Sequence, residues 1–139
     1  MNLSTLTRPE QILIALLKAA LNQTAVQDVE WTSVTEAEWD ECLMVAARHG
    51  VAALAWDGIN QIPGGRKLLK DVIFSWGLTV EQCELKYEEH CQAASHLQDL
   101  YARHGIAMVQ LKGVGFSTYY PIPEHREGGD IDIYTWSAD

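Results

Sequence analysis

Several things are scarce in this sequence, and each shortage excludes a class of protein. Cysteine occurs three times, at Cys42, Cys83 and Cys91, with no C-x-x-C spacing. An odd count without that spacing fits reduced thiols and excludes a disulfide framework as the basis of the fold. Cys83 and Cys91 fall about two turns apart in a predicted helix, too far for a bond between them. Basic residues are also few: ten Lys and Arg against nineteen Asp and Glu, a formal charge of −9. An extended nucleic-acid surface needs clustered Lys and Arg, so none is expected. A small nucleotide held through a metal remains compatible with an acidic chain. Long apolar runs are missing as well. The run at residues 12–21 is far too short to span a bilayer, and the N-terminus lacks the layout of a signal peptide. A cytoplasmic protein with no membrane partner is the expectation.

What is present is enough for a core. The chain has 139 residues, 47% hydrophobic and 21% charged, a globular balance. Thr7-Arg8-Pro9-Glu10 reads as a capping box with proline in the first turn, and Ile12, Leu13, Leu16, Leu17 and Ala20 continue it as an apolar helical stripe. Residues 23–34 read as a loop anchored by Trp31. Thr35-Glu36-Ala37-Glu38 is a second capping box, leading through Trp39, Cys42, Leu43 and Ala46 to a stop at Arg48-His49-Gly50. A short third helix follows at 51–59. Residues 66–104 hold apolar positions in steps of three and four, from Leu69 through Trp76, Cys83 and Tyr87 to Tyr101. They read as one long helix that can kink at Gly77. The acidic side of that helix (Glu81, Glu84, Glu88, Glu89) reads as solvated, and His90 and His96 lie on different faces, so no metal site follows.

After Gly105 the period changes. Residues 106–111 form a short apolar run, expected as a buried strand. Lys112-Gly113-Val114-Gly115 is a glycine turn into a short helix expected at 115–120. Pro121-Ile122-Pro123 stops that helix, and residues 124–128 form a loop in which His125 reads as solvated. A second strand is expected at 129–136. On a strand, Asp130 and Asp132 project to one side, while Ile131 and Ile133 point into a core. Two adjacent carboxylates repel unless a cation or proton lies between them. A divalent metal with oxygen ligands is one solution and Mg²⁺ suits it; charged residues guarding an edge strand are the plainer alternative. Gly113 and Gly115 suit a phosphate seat at the helix start, or only a tight turn that needs small residues.

Leu111-Lys112-Gly113, Tyr120-Pro121, Pro123, Arg126 and Gly129-Asp130-Ile131-Asp132-Ile133 occur in that order. The pattern resembles the uncharacterised nucleotidyltransferase family of the polymerase-β-like superfamily, closely over about the last 30 residues. The resemblance implies an α+β fold: a helical region at 1–104, then at 105–139 the start of a nucleotidyltransferase-like mixed sheet. It implies transfer of a nucleoside monophosphate from an NTP to an unknown acceptor. Asp130 and Asp132 would be catalytic and would bind Mg²⁺ or Mn²⁺. Gly113 and Gly115 would admit the phosphates, and Lys112 and Arg126 would offset their charge. Val114 stands where the superfamily turn carries Gly or Ser. The superfamily also carries a third carboxylate on a later strand, which these residues do not supply, so the sheet reads as truncated, or else as completed by another copy, and the chain as inactive by itself. The competing expectation is a non-catalytic helical module in which the long helix and its tryptophans form a homodimer or partner interface.

Overall fold

The computed structural model describes residues 5–27, 29–64 and 70–137. The chain divides into two compact units, Met1–Glu81 and Gln82–Asp139.

The first unit is helical. Helix α1 (Arg8–Asn22) starts where the capping box places it, with the Glu10 carboxylate accepting the Thr7 N–H at 2.7 Å. It ends at Gln23, which adopts the left-handed conformation. The expected loop at 23–34 includes a 3₁₀ turn, Trp31–Ser33. Helix α2 (Glu36–Arg48) begins on the second capping box, where Glu38 accepts the Thr35 N–H at 2.8 Å. Helix α3 (Ala52–Ile59) follows after Gly50 turns the chain with φ of 64°. Arg8 ties α1 to α2 through an ion pair with Glu38 at 3.2 Å, and its guanidinium donates to Ser33 Oγ at 2.7 Å.

The hydrophobic core lies in this unit. Ile12, Leu13 and Leu16 from α1 meet Trp39, Cys42 and Ala46 from α2, Ala55 and Ile59 from α3, and Val72 and Trp76 from the start of the long helix. Trp39 stacks on Trp31 at 5.8 Å and meets Trp76 edge-on at 6.4 Å. Trp31 is the expected loop anchor, although only partly buried. Gly58 permits the closest approach: a Cβ there would lie 2.2 Å from the Leu16 carbonyl oxygen.

The long helix, α4, is described over Lys70–Arg103 and runs unbroken through Gly77. The four positions expected to open it, 66–69, lie outside the described residues. In the second unit its later turns precede strand β1 (Ile106–Gln110), a four-residue helix α5 (Val114–Ser117), a 3₁₀ turn (Pro123–His125) and strand β2 (Ile133–Ser137). The two strands pair antiparallel, Ile106 with Ser137 through Gln110 with Ile133. The fold is α+β, as expected.

Two local expectations are corrected. The helix after the glycine turn is α5, ending at Ser117 instead of residue 120. The second strand begins at Ile133 instead of residue 129, because its partner leaves the ladder at the glycine turn. One further bond, Leu111 N–H to the Asp132 carbonyl at 2.9 Å, carries the pairing past the strand end. Among the described residues, no helix is long and apolar enough to cross a membrane.

All three cysteines are free. Burial pushes the Cys42 thiol up to about 12 and, with help from the Glu127 charge, the Cys83 thiol up to about 11. Two outcomes are expected. At pH 8, a thiol reagent should label Cys42 and Cys83 only after unfolding in urea. Stability should be undiminished below the ordinary thiol range, about 8.5, and should fall as pH rises from there through 11 and 12, because only the unfolded chain ionises early. Separately, Gly58→Ala should destabilise the first unit by about 2 kcal/mol, measured by urea titration, since its methyl meets backbone that cannot yield.

Candidate functional site

The segment between β1 and β2 carries every candidate residue, and α4 holds it in place. Three α4 side chains, Cys83, Glu84 and Tyr87, do the holding. The Cys83 thiol donates to the Glu124 carbonyl at 3.5 Å. Glu84 accepts from His125 Nε2 at 3.0 Å. Ser117 Oγ spends its hydrogen on the Val114 carbonyl at 2.6 Å, so the Tyr87 hydroxyl donates to it at 3.0 Å. Ser117 is fully buried by these contacts.

His125 corrects the sequence reading. It is 5% exposed and paired with Glu84, whose side chain is half exposed on the acidic side of α4. The proline-bracketed turn that buries it was visible in the sequence; its partner, 41 positions upstream, was not. Its neighbour Arg126 reaches the other way. Arg126 Nη1 donates to the Gly113 carbonyl at 3.2 Å, and the guanidinium lies 5.9 Å from the centre of the Tyr120 ring. Arg126 and Gly113, predicted to share a site, are therefore in direct contact, with Arg126 fastening the glycine turn.

The two glycines differ. Gly113 is buried with φ of 76°, and a Cβ there would meet Gln110 Nε2 at 3.0 Å and the Asp130 carbonyl at 3.3 Å. The fold alone requires glycine at this position. Gly115 is exposed, and a Cβ would find nothing nearer than the Gln110 carbonyl at 3.7 Å. Neither space nor backbone requires glycine there. Helix α5 spans a single turn, too short to build the macrodipole expected to seat a phosphate.

Asp130 and Asp132 precede β2. The Lys112 ammonium lies 3.0 Å from Asp132 Oδ2, and both side chains are solvent-accessible. Asp130 is exposed. Lys112, Gly115, Asp130 and Asp132 thus present charge and open backbone outward, while Gly113 and Arg126 form the support beneath. Behind the turn is a cavity of about 10 Å³, bordered by Tyr87, His90, Val114 and Gly128, room for one water at most. A larger cavity of about 690 Å³ lies in the first unit between α1 and residues 24–27, 29 and 30, and none of the candidate residues lines it.

The model of an uncharacterised nucleotidyltransferase family matches residues 35–139. The chain belongs to that family. The match takes in α2 through β2 and leaves out α1 and the residues that line the larger cavity. No curated protein and no solved structure matches the chain.

Among the described residues, no group of three or more His, Cys, Asp or Glu side chains is placed to hold a metal. The donor set still fits Mg²⁺ as nucleotide-bound Mg²⁺ is commonly held, by one or two carboxylates with water and substrate phosphate completing the shell. The Lys112 ammonium already stands against Asp132 as a cation would. Replacing His125 with Ala should cost about 2 kcal/mol by urea denaturation and loosen the 123–126 turn, seen as faster amide exchange at Arg126. His125→Gln should recover part of both.

Proposed function

We propose that the β1–β2 segment binds a nucleoside triphosphate with Mg²⁺ or Mn²⁺ and transfers its nucleoside monophosphate to an acceptor hydroxyl. Membership of a nucleotidyltransferase family supports the reaction class. The observation that carries the assignment to these residues is the Lys112–Asp132 contact at 3.0 Å. It brings the glycine turn and Asp132 to one place, with Asp130 two positions away along the chain.

Asp130 and Asp132 would hold the metal. When bound, it would neutralise phosphate charge and lower the pKa of the acceptor hydroxyl. Lys112, released from Asp132, would turn its ammonium to the departing phosphates. Gly115, which the fold does not require to be glycine, would let the backbone approach them. Arg126 would act through Gly113 by keeping the turn in shape. The acceptor hydroxyl would give its proton to solvent water, its oxygen would attack the α-phosphorus, the bond from that phosphorus to the α–β bridging oxygen would break, and pyrophosphate would leave with both electrons of that bond.

A second reading has its own support. Phe74 (69% exposed) and Leu78 lie one turn apart on the outside of α4, where large apolar groups suit a partner such as a second copy of the chain.

One set of measurements separates the two. Calorimetric titration of NTPs with Mg²⁺ should give binding that disappears without metal. Asp130→Asn and Asp132→Asn should each weaken it roughly a hundredfold or more, and Gly115→Ala should weaken it with no change in the unfolding curve. A stable dimer in sedimentation, indifferent to nucleotide, metal and both Asp variants, would favour the interaction module.

A further inference from the structure

Residues directly opposite one another in an antiparallel pair project to the same side. By that rule Ala107, Val109 and Leu111 of the first strand share a face with Trp136, Tyr134 and Asp132 of the second. The other face carries Ile106, Met108, Gln110 and Ile133, all at least half-buried, together with Thr135 and Ser137, which are exposed. The Asp132 face is the one that carries the exposed large apolar side chains. Tyr134 is 58% and Trp136 48% exposed, with Val109 and Leu111 exposed between them and the glycine turn.

An antiparallel sheet with one solvated face normally places polar residues on it. Here the sheet presents two large aromatics at successive outward positions. Their ring centres are 5.8 Å apart and their planes 31° from parallel. Opposite Trp136 stands Ala107, whose methyl leaves the indole uncovered from the neighbouring strand.

The row continues from the aspartates. Same-face positions on a strand are about 7 Å apart, so Tyr134 and Trp136 stand about 7 and 13 Å beyond Asp132. Carboxylate, phenol and indole follow each other in a line. A nucleotide has a matching order of polyphosphate, sugar and base. Given the metal-dependent nucleotide site proposed above, we propose that Tyr134 and Trp136 are the platform for the bound nucleotide, with the sugar over Tyr134 and the base stacked on Trp136. Every base has a π-face, and larger bases stack better, so purines are preferred. The side chains of Ala107, Val109 and Leu111 offer no donor or acceptor to a base edge. The platform therefore grades bases by stacking area and does not separate adenine from guanine.

The test is calorimetric titration of the full chain with Mg–ATP, Mg–GTP, Mg–CTP, Mg–UTP and magnesium tripolyphosphate. The last has the phosphates without the base. ATP and GTP should bind within about threefold of one another and about tenfold tighter than tripolyphosphate, with CTP and UTP between. Trp136→Ala should lower ATP to the tripolyphosphate level and leave tripolyphosphate unchanged; Trp136→Phe should retain most of the difference. ATP binding no tighter than tripolyphosphate in the natural chain would overturn the platform while leaving the metal site standing. Equal losses for both ligands in Trp136→Ala would also overturn it. So would a dimer that Trp136→Ala dissociates without changing the ratio of the two affinities, since the face would then belong to a second copy. Tripolyphosphate that fails to bind, with ATP binding still dependent on Trp136, would support the platform and overturn the metal pair. Binding of neither ligand would overturn both.

Discussion

A hydrogen bond of 2.9 Å from the Leu111 amide to the Asp132 carbonyl joins the two halves of the candidate site. On one side of it the chain leaves β1 and enters the glycine turn. On the other, the aspartate segment enters β2. Without that joint the two strands would stop at Gln110 and Ile133, and nothing in the ladder would fix Lys112 against Asp132. The arrangement is electrostatically economical. The lysine of the glycine turn offsets the Asp132 charge across the joint. The ammonium is bound on the open side, where exchange for another cation costs little desolvation.

The rest of the second unit keeps that joint in place. A two-stranded sheet is marginal by itself. Here its connecting segment is pinned to α4 by three contacts of different chemistry: a thiol on a carbonyl, an imidazole on a carboxylate, and a phenol on a hydroxyl. Arg126 then carries the constraint from the pinned turn to Gly113. His125 and Arg126 face inward and hold, while Lys112, Asp130 and Asp132 face outward and are available.

Much of the first unit was legible because its signals are local. Both capping boxes act over three residues, and both helices start where Thr7 and Thr35 put them. The long helix was legible from its period. The order of elements after Gly105 was legible from the change of period and from the glycines and prolines that punctuate it. The ends of those elements were not. How far β2 extends depends on where its partner turns away, and no pattern within residues 129–136 records that.

The sequence by itself determined the helical start, the α+β class and membership of a nucleotidyltransferase family. These follow from propensity, periodicity and motif, each fixed by neighbours along the chain. Only the tertiary structure decided which residues hold and which are open. Arg126 read like a phosphate ligand and is bonded to a backbone carbonyl. His125 read as solvated and is buried against Glu84 from 41 positions away. Gly113 is required by the fold and Gly115 is not. The exposed aromatic row became visible only with the strand register, because one residue of slip would turn Tyr134 and Trp136 to the other face. Burial and pairing are properties of segments that meet in space, and the local pattern constrains them only weakly.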